Sequence, residues 1–178
     1  MKKQAQAKSR MGKKSSLLIA MILFLLCTGQ VWAQSSLGNL VKEGGDEWMM
    51  GTWSAWVDGE TVTLTYKYEL EKNMISIALK TSEFQYKGII IFNAADGEVV
   101  QVAADTLGNS VKGTWTGEYG TAVLRQTTSN SYGDKEVTEF THSQKDRNTM
   151  QIDIRNISNS GWSDMYPSIT LELKRQKK

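Results

Sequence analysis

The sequence of 178 residues is poor in the residue types that build many catalytic and metal sites, with one cysteine and one histidine. A zinc site of cysteines and histidines is excluded because it needs three or four such side chains. A Ser-His-Asp triad would have to use His142, and the sequence has no Gly-x-Ser-x-Gly motif. The aspartates beside glycines are explained by turns and lack the spacing of a calcium loop. We therefore expect no enzyme, no metal site and no cofactor.

Residues 1–33 have the layout of a cleaved secretory signal. Six Lys and Arg residues precede an apolar run at residues 17–27, and Val31 and Ala33 occupy the −3 and −1 positions of a cleavage site. The single cysteine, Cys27, lies in this segment, so the mature chain has no disulfide. The run is shorter than the ~20 residues that span a bilayer, although an uncleaved anchor is the alternative. We therefore expect a secreted or periplasmic protein with no stable membrane span after cleavage.

Removal of residues 1–33 reverses the net charge. Six of the 21 Lys and Arg residues leave, so the mature chain carries 15 of them against 19 Asp and Glu, a net charge of −4. No basic patch interleaved with aromatic residues remains, and nucleic acid is therefore not an expected partner. The mature chain of about 145 residues is long enough to form one core without disulfides, because a domain of this size buries roughly two-thirds of its unfolded surface.

The mature sequence alternates between short strand patterns and turns. Asp58-Gly59 is typical of a type I′ hairpin turn, and in the run after it one face is apolar: Val62, Leu64, Tyr66, Tyr68 and Leu70. Ten such runs are predicted, at residues 48–57, 60–70, 74–80, 84–92, 98–104, 110–116, 121–128, 135–143, 150–157 and 168–175. Short turns favour an up-and-down order, and closure removes two exposed edges. The sequence therefore predicts an all-β, antiparallel, up-and-down β-barrel of about ten strands over residues 48–178.

A short helix or linker is predicted at residues 34–47, where Leu37, Leu40 and Val41 form a small apolar stripe. We expect this helix to close one end of the barrel. Gly51-Thr52-Trp53 follows it on the first strand, and the tripeptide recurs at residues 113–115, by duplication or by coincidence.

The Gly51-Thr52-Trp53 tripeptide resembles the G-x-W signature at the start of the lipocalins and related calycin barrels. This resemblance implies that Gly51 permits close chain approach, that Trp53 plugs the barrel base, and that Arg175 or Lys174 packs across it. Without disulfides or a threonine-aspartate-tyrosine motif, the chain is similar to secreted bacterial lipocalin-like proteins. Its ten strands also resemble fatty-acid-binding and nitrobindin-like barrels. A haem site of the nitrobindin type would fall to His142, but no second ligand is present, so we expect no haem.

Candidate pocket residues follow from the strand faces. Tyr66 and Tyr68 share one apolar face, Phe84 and Tyr86 share another, and Trp115, Arg125 and His142 join them if their faces turn inward. We expect these seven side chains to line a pocket, with Arg125 meeting an acidic group on an otherwise apolar ligand. The strands at 121–128 and 135–143 alternate poorly, which indicates either a polar-lined cavity or half-solvated strands.

Two functions are consistent with these features. The leading hypothesis is an exported protein that binds a small, largely apolar or acidic-headed molecule inside the barrel. The alternative is a structural or interaction barrel of the cell envelope, with a filled interior and a protein partner. An empty interior would distinguish the first from the second, because inward side chains of narrow barrels fill the space.

Overall fold

The computed structural model describes residues 36–157 and 168–177. One helix, α1 (Leu37–Glu43), precedes ten strands: β1 (Gly51–Val57), β2 (Glu60–Glu69), β3 (Met74–Lys80), β4 (Gln85–Asn93), β5 (Glu98–Asp105), β6 (Ser110–Glu118), β7 (Thr121–Ser129), β8 (Lys135–Asp146), β9 (Thr149–Asn156) and β10 (Ile169–Arg175). Each strand pairs antiparallel with the next, and β10 pairs with β1, so the sheet is a closed up-and-down barrel. This confirms the predicted fold class. The predicted signal at 1–33 lies outside the described residues.

Most strand boundaries match the sequence pattern to within a few residues, and two departures have physical causes. Residues predicted as the start of the first strand form a 3-10 turn, Glu47–Met49. Carbonyls in and beside this turn accept hydrogen bonds from the side chains of Trp53 and Arg175. The predicted charged turn at 145–148 is shorter, because β8 continues to Asp146 past a register shift after Gln144. None of the described helices is long and apolar enough to cross a membrane.

The Asp58-Gly59 hairpin turn forms as the sequence predicts. Both residues have positive φ angles, 50° and 89°, which is the backbone geometry of a type I′ turn. The turn joins β1 to β2 with full pairing from Gly51–Tyr66 to Val57–Glu60. Within β2, Leu64 and Tyr66 are buried and point into the barrel.

Trp53 lies in the base of the barrel with no exposed surface. Its indole N–H donates to the Met49 carbonyl at 2.8 Å, and the Arg175 guanidinium lies 4.0 Å from its ring centroid. Arg175 also donates to the carbonyls of Met50 at 2.8 Å and Trp48 at 2.6 Å. Gly51 has a φ of 124°, and a Cβ there would lie 2.9 Å from the Arg175 guanidinium. The structure therefore brings the three predicted base residues together and ties the last strand to the 3-10 turn.

The pairing of β1 with β10 is the shortest in the barrel. Only Trp53–Arg175 and Ser54–Lys174 are in register, whereas β10 pairs with β9 from Ile169–Ile154 to Lys174–Thr149. The closure between the first and last strands is therefore confined to the base.

The helix α1 covers the same end of the barrel. The Ser36 hydroxyl caps its start by accepting from the Asn39 N–H at 3.2 Å, and Leu37 is 1% exposed. At its other end, the Gly120 N–H of the β6–β7 hairpin donates to the Gly44 carbonyl at 3.2 Å. A helix of seven residues is marginal alone, so burial of its apolar stripe and this bond hold it on the barrel.

Candidate functional site

Three side chains from separate strands meet in the barrel interior: Tyr66 on β2, Trp115 on β6 and His142 on β8. The ring centroids lie 6.3 Å apart for Tyr66 and Trp115, 6.1 Å for Tyr66 and His142, and 5.1 Å for Trp115 and His142. We call this group the aromatic layer. Tyr66 lines a cavity on each side of it, whereas Trp115 lines only the first cavity and His142 only the second. The layer therefore divides the barrel interior into two spaces.

The first space, the helix cavity, lies under α1 and has a volume of about 250 Å³. Its walls are Leu37, Leu40, Val41, Gly44, Asp46, Met49, Met50, Tyr66, Ile75, Ile90, Val99, Trp115, Thr116, Gly117, Tyr119 and Ala122. The second space, the strand cavity, has a volume of about 210 Å³. Its walls are Leu64, Tyr66, Ile77, Leu79, Phe84, Tyr86, Gln101, Leu124, Gln126, Phe140, His142, Ile152, Ile154 and Leu171. Both spaces are mostly apolar.

The hydrogen bonds of His142 define its tautomer. Its Nδ1 lies 3.3 Å from the Ala122 carbonyl oxygen and its Nε2 lies 3.0 Å from the Tyr66 hydroxyl. A carbonyl only accepts, so Nδ1 carries the hydrogen. Burial lowers the pKa of His142 from 6.5 to about 4, against the opposing effect of hydrogen bonds with the Ala122 and Phe140 backbone. The ring is therefore neutral at pH 7, and the Tyr66 hydroxyl donates to Nε2.

A second hydrogen-bonded chain joins the aromatic layer to the wall of the strand cavity. The Trp115 indole N–H donates to Gln101 Oε1 at 3.0 Å, and Gln101 Nε2 donates to the Tyr86 hydroxyl at 2.6 Å. The Tyr86 hydroxyl faces Gln126 Oε1 at 3.5 Å, which is the outer limit of a hydrogen bond. Gln101 is 1% exposed. These hydrogen bonds satisfy its buried side-chain amide, which would destabilise the folded protein if it had no partner.

The two tyrosines of these chains remain protonated at neutral pH. Burial, together with the nearby Tyr86, raises the pKa of Tyr66. Burial raises the pKa of Tyr86 to about 12; its bond to Gln101 opposes the rise, and Asp105 adds to it. Both hydroxyls therefore act as neutral hydrogen-bonding groups. Together with the neutral His142, they give the strand cavity polar atoms without charge.

The helix cavity has a different polar character because Asp46 forms part of its wall. Burial raises the pKa of this carboxyl group, and the Trp48 indole N–H opposes that rise. Asp46 Oδ1, Trp48 Nε1 and the Tyr68 hydroxyl are buried, and none of them has a partner in hydrogen-bond geometry among the described residues. The Trp48 indole N–H therefore lies near the Asp46 carboxyl group without forming a well-aligned hydrogen bond to it. Within the described residues, no Lys or Arg forms an ion pair with Asp46.

The structure places four of the seven predicted pocket residues around the strand cavity: Tyr66, Phe84, Tyr86 and His142. Trp115 lines the helix cavity. It does not line the strand cavity, but it packs against His142, which does. Sequence reasoning missed Gln101, Gln126 and Asp46. One feature of the sequence pointed to Gln101, which is a lone polar residue among the valines of β5.

Two predicted pocket residues were placed wrongly. Arg125 is exposed on the outer face, because its neighbours Ala122 and Leu124 are the inward residues of β7. It stands in register with Glu139 and Thr114 instead of facing the interior. Tyr68 lies on the inner face of β2 but at its end, where the Lys72 ammonium sits 5.2 Å from its ring centroid. Tyr68 therefore lines neither cavity.

The described residues offer no site for a bound metal ion. No group of three or more His, Cys, Asp and Glu side chains lies close enough together within residues 36–157 and 168–177. Both ring nitrogens of His142 are used inside the protein.

Comparison with known proteins adds no family name. No protein-family model matches the sequence. No curated protein matches it significantly. The closed ten-strand antiparallel barrel is compatible with a lipocalin-like fold and with a ligand-binding barrel.

Proposed function

We propose that this protein is an exported binding protein that holds a small, neutral, largely apolar molecule in the strand cavity. The observation that carries the proposal is a partly open space of about 210 Å³ in the barrel whose walls are apolar except for Tyr66, Tyr86, Gln101, Gln126 and His142. A concave, mostly apolar space with a few convergent polar groups is typical of small-molecule sites. Unfilled interior space also argues against a barrel packed solely for protein interaction.

The cavity volume limits the ligand. An engineered apolar cavity of about 150 Å³ accommodates benzene, so the strand cavity suits a molecule of roughly eight to ten non-hydrogen atoms on the same scale. A long-chain fatty acid exceeds this space while the aromatic layer is in place. The ligand class that fits is a monocyclic aromatic or short aliphatic compound.

The charge of the wall also limits the ligand. Among the described residues, no Asp, Glu, Lys or Arg lines the strand cavity, and burial keeps His142 neutral. An ionised group in such a space would lose its hydration without a countercharge. The acidic head predicted to meet Arg125 is therefore replaced in this proposal by a neutral hydroxyl or carbonyl.

The polar group of the ligand would bind between Tyr86 and Gln126. These two side chains face each other at 3.5 Å, so neither gains a strong bond from the other. A ligand hydroxyl accepts from one and donates to the other at ordinary distances. Since the cavity wall carries no activated nucleophile, metal site or charged acid–base pair among the described residues, we propose binding without catalysis.

The test is a binding series with matched shape and different charge. Purified mature protein is titrated with 4-butylphenol, butylbenzene and 4-butylbenzoate, and binding is followed by calorimetry and native mass spectrometry. We expect the phenol to bind at least tenfold more tightly than the carboxylate, with butylbenzene in between. Leu124→Phe fills the strand cavity and should abolish phenol binding, whereas Ala122→Leu fills the helix cavity and should preserve it. Equal binding of the benzoate, or unchanged phenol binding by the Leu124 variant, would contradict the proposal.

A further inference from the structure

We infer that the helix cavity is a second, separate binding site that selects a small apolar amine, whose ammonium group pairs with the Asp46 carboxylate. This inference does not depend on occupancy of the strand cavity. It rests on the separation of the two spaces, the unpaired carboxylate in one of them, and the apolar walls around it.

The separation is physical. The Tyr66 and Trp115 rings form the floor of the helix cavity, and His142 packs behind them at 5.1 Å from Trp115. The hydrogen bond between Tyr66 and His142 fixes the layer across the barrel. A ligand in one cavity therefore does not extend into the other while these side chains keep their positions.

The carboxylate is the selective group. Asp46 is half-buried and lines the helix cavity. Its Oδ1 is buried, and the nearby Trp48 indole N–H does not reach hydrogen-bond geometry with it. Among the other ionisable groups at this end, Glu47 and Lys72 pair with each other at 3.9 Å, and Arg175 donates to the carbonyls of Trp48 and Met50. A buried carboxylate atom without a partner is costly, and an ammonium group offsets that cost by a charge-assisted hydrogen bond.

The rest of the helix-cavity wall is mostly apolar and favours a ligand with an apolar body. Leu37, Leu40 and Val41 form the roof, and Met49 and Met50 form one side. Methionine side chains are flexible and adapt to ligands of different shape. The volume of about 250 Å³ suits an amine of roughly ten non-hydrogen atoms, by comparison with the benzene-binding cavity of about 150 Å³.

The rim of this cavity has an exposed apolar surface. Tyr119 lines the cavity yet is 85% exposed, and its ring packs on Gly45, where an added Cβ would lie 2.7 Å from it. The neighbouring bond from Gly120 to Gly44 holds the end of α1 beside the hairpin.

The experiment compares octylamine, 1-octanol and octanoate, which share a chain and differ in charge. Binding to the mature protein at pH 7 is measured by calorimetry, and the Met49 and Met50 methyl signals are followed by NMR. We expect octylamine to bind at least tenfold more tightly than octanol, octanoate to bind most weakly, and both methionine signals to shift. Asp46→Asn should lower octylamine affinity at least tenfold and leave octanol affinity within about twofold, since one charge-assisted bond contributes this much.

The control for net charge is Asp58→Asn, which removes a carboxylate from the opposite end and retains a favourable Asn-Gly turn. It should leave octylamine affinity unchanged. Leu124→Phe, which fills the strand cavity, should also leave it unchanged, and octylamine and 4-butylphenol should bind together. Unchanged octylamine affinity in Asp46→Asn, or displacement of octylamine by the phenol, would overturn the second site. Loss of phenol binding alone would remove only the proposed function of the strand cavity.

Discussion

The two cavities of this barrel are similar in size and differ in how their polar groups are satisfied. In the strand cavity, the side chains of Tyr86 and Gln101 bond to each other and to side chains on neighbouring strands. In the helix cavity, Asp46 Oδ1 has no described partner. Side chains that project from adjacent paired strands meet at fixed spacings and can satisfy each other. The end of a barrel is closed by turns and a short helix, which leave polar groups free for a ligand.

The aromatic layer separates the two cavities, so they are two sites and not two halves of one site. It contains one residue from each of three strands, and every polar atom of its rings is hydrogen-bonded. Loss of one ring would both create a void and join the two spaces. The largest effects are therefore expected from changes to this layer.

Trp115→Ala should cost about 3 kcal/mol of unfolding free energy, because it removes a large ring from the interior and leaves Gln101 Oε1 without its donor. Urea denaturation measures this loss. Trp56→Ala serves as the matched control, since Trp56 is 74% exposed, and its effect should stay within about 0.5 kcal/mol. If both substitutions cost the same, the ring of Trp115 is not part of the packed interior.

The same Trp115 variant should change which ligands fit. With the layer opened, the joined space accommodates chains longer than either cavity alone. We expect hexadecanol to bind the Trp115→Ala protein and not the wild type, as measured by native mass spectrometry. Binding of hexadecanol to the wild-type protein would show that the layer does not separate the cavities.

The sequence predicted the strands well because each strand buries one face and its alternation is local. The alternation from Val62 to Tyr68 identifies the inner face of β2 without any knowledge of neighbouring strands. Leu70, which the same pattern placed on that face, lies in the turn after β2 and is 70% exposed. The inner face of β7 is not evident from its own sequence, because Ala122, Val123 and Leu124 place apolar side chains on both faces. Arg125 was therefore assigned to the inner face, although it lies on the outer face. Its orientation follows from pairing with β8, where Leu124 stands opposite Phe140, and that pairing is not visible in β7 alone.

The candidate site was less predictable than the fold because its polar contacts are non-local. Gln101 bonds to Tyr86 and Trp115 on the two adjacent strands, and Tyr66 meets His142 across the barrel. Asp46 lies in a turn whose relation to the cavity depends on how Trp48 and Arg175 pack at the base. Tyr68 shares the face of Tyr66, but β2 ends directly after it in a turn at Leu70–Lys72 with positive φ angles. That turn brings Lys72 over the Tyr68 ring.

The layer should also make the barrel sensitive to acid. Burial lowers the pKa of His142 from 6.5 to about 4, so below pH 6.5 the unfolded chain binds a proton that the folded protein does not. The unfolding free energy therefore falls as the pH drops from 6.5 to about 4, by about 3 kcal/mol in total. Below pH 4 this contribution stops changing, because the folded protein also binds the proton.

The measurement is the difference in unfolding free energy between wild type and His142→Gln at several pH values. Contributions from carboxyl groups are common to both proteins and cancel. We expect the advantage of the wild type to shrink steadily between pH 6.5 and 4. A difference that does not vary with pH would show that the His142 ring is charged or solvated in the folded protein.

The smallest effect should come from two neighbouring residues of β7 that point in opposite directions. Gln126 lines the strand cavity and Arg125 lies on the outer face. Gln126→Leu should weaken 4-butylphenol binding about fivefold, because the ligand hydroxyl loses one neutral hydrogen bond of about 1 kcal/mol. Arg125→Gln should leave phenol and benzoate affinities unchanged within the error of calorimetry. If Arg125→Gln instead weakened benzoate binding, the Arg125 guanidinium would have to contact the ligand. That result would contradict the proposal that the strand cavity binds neutral molecules.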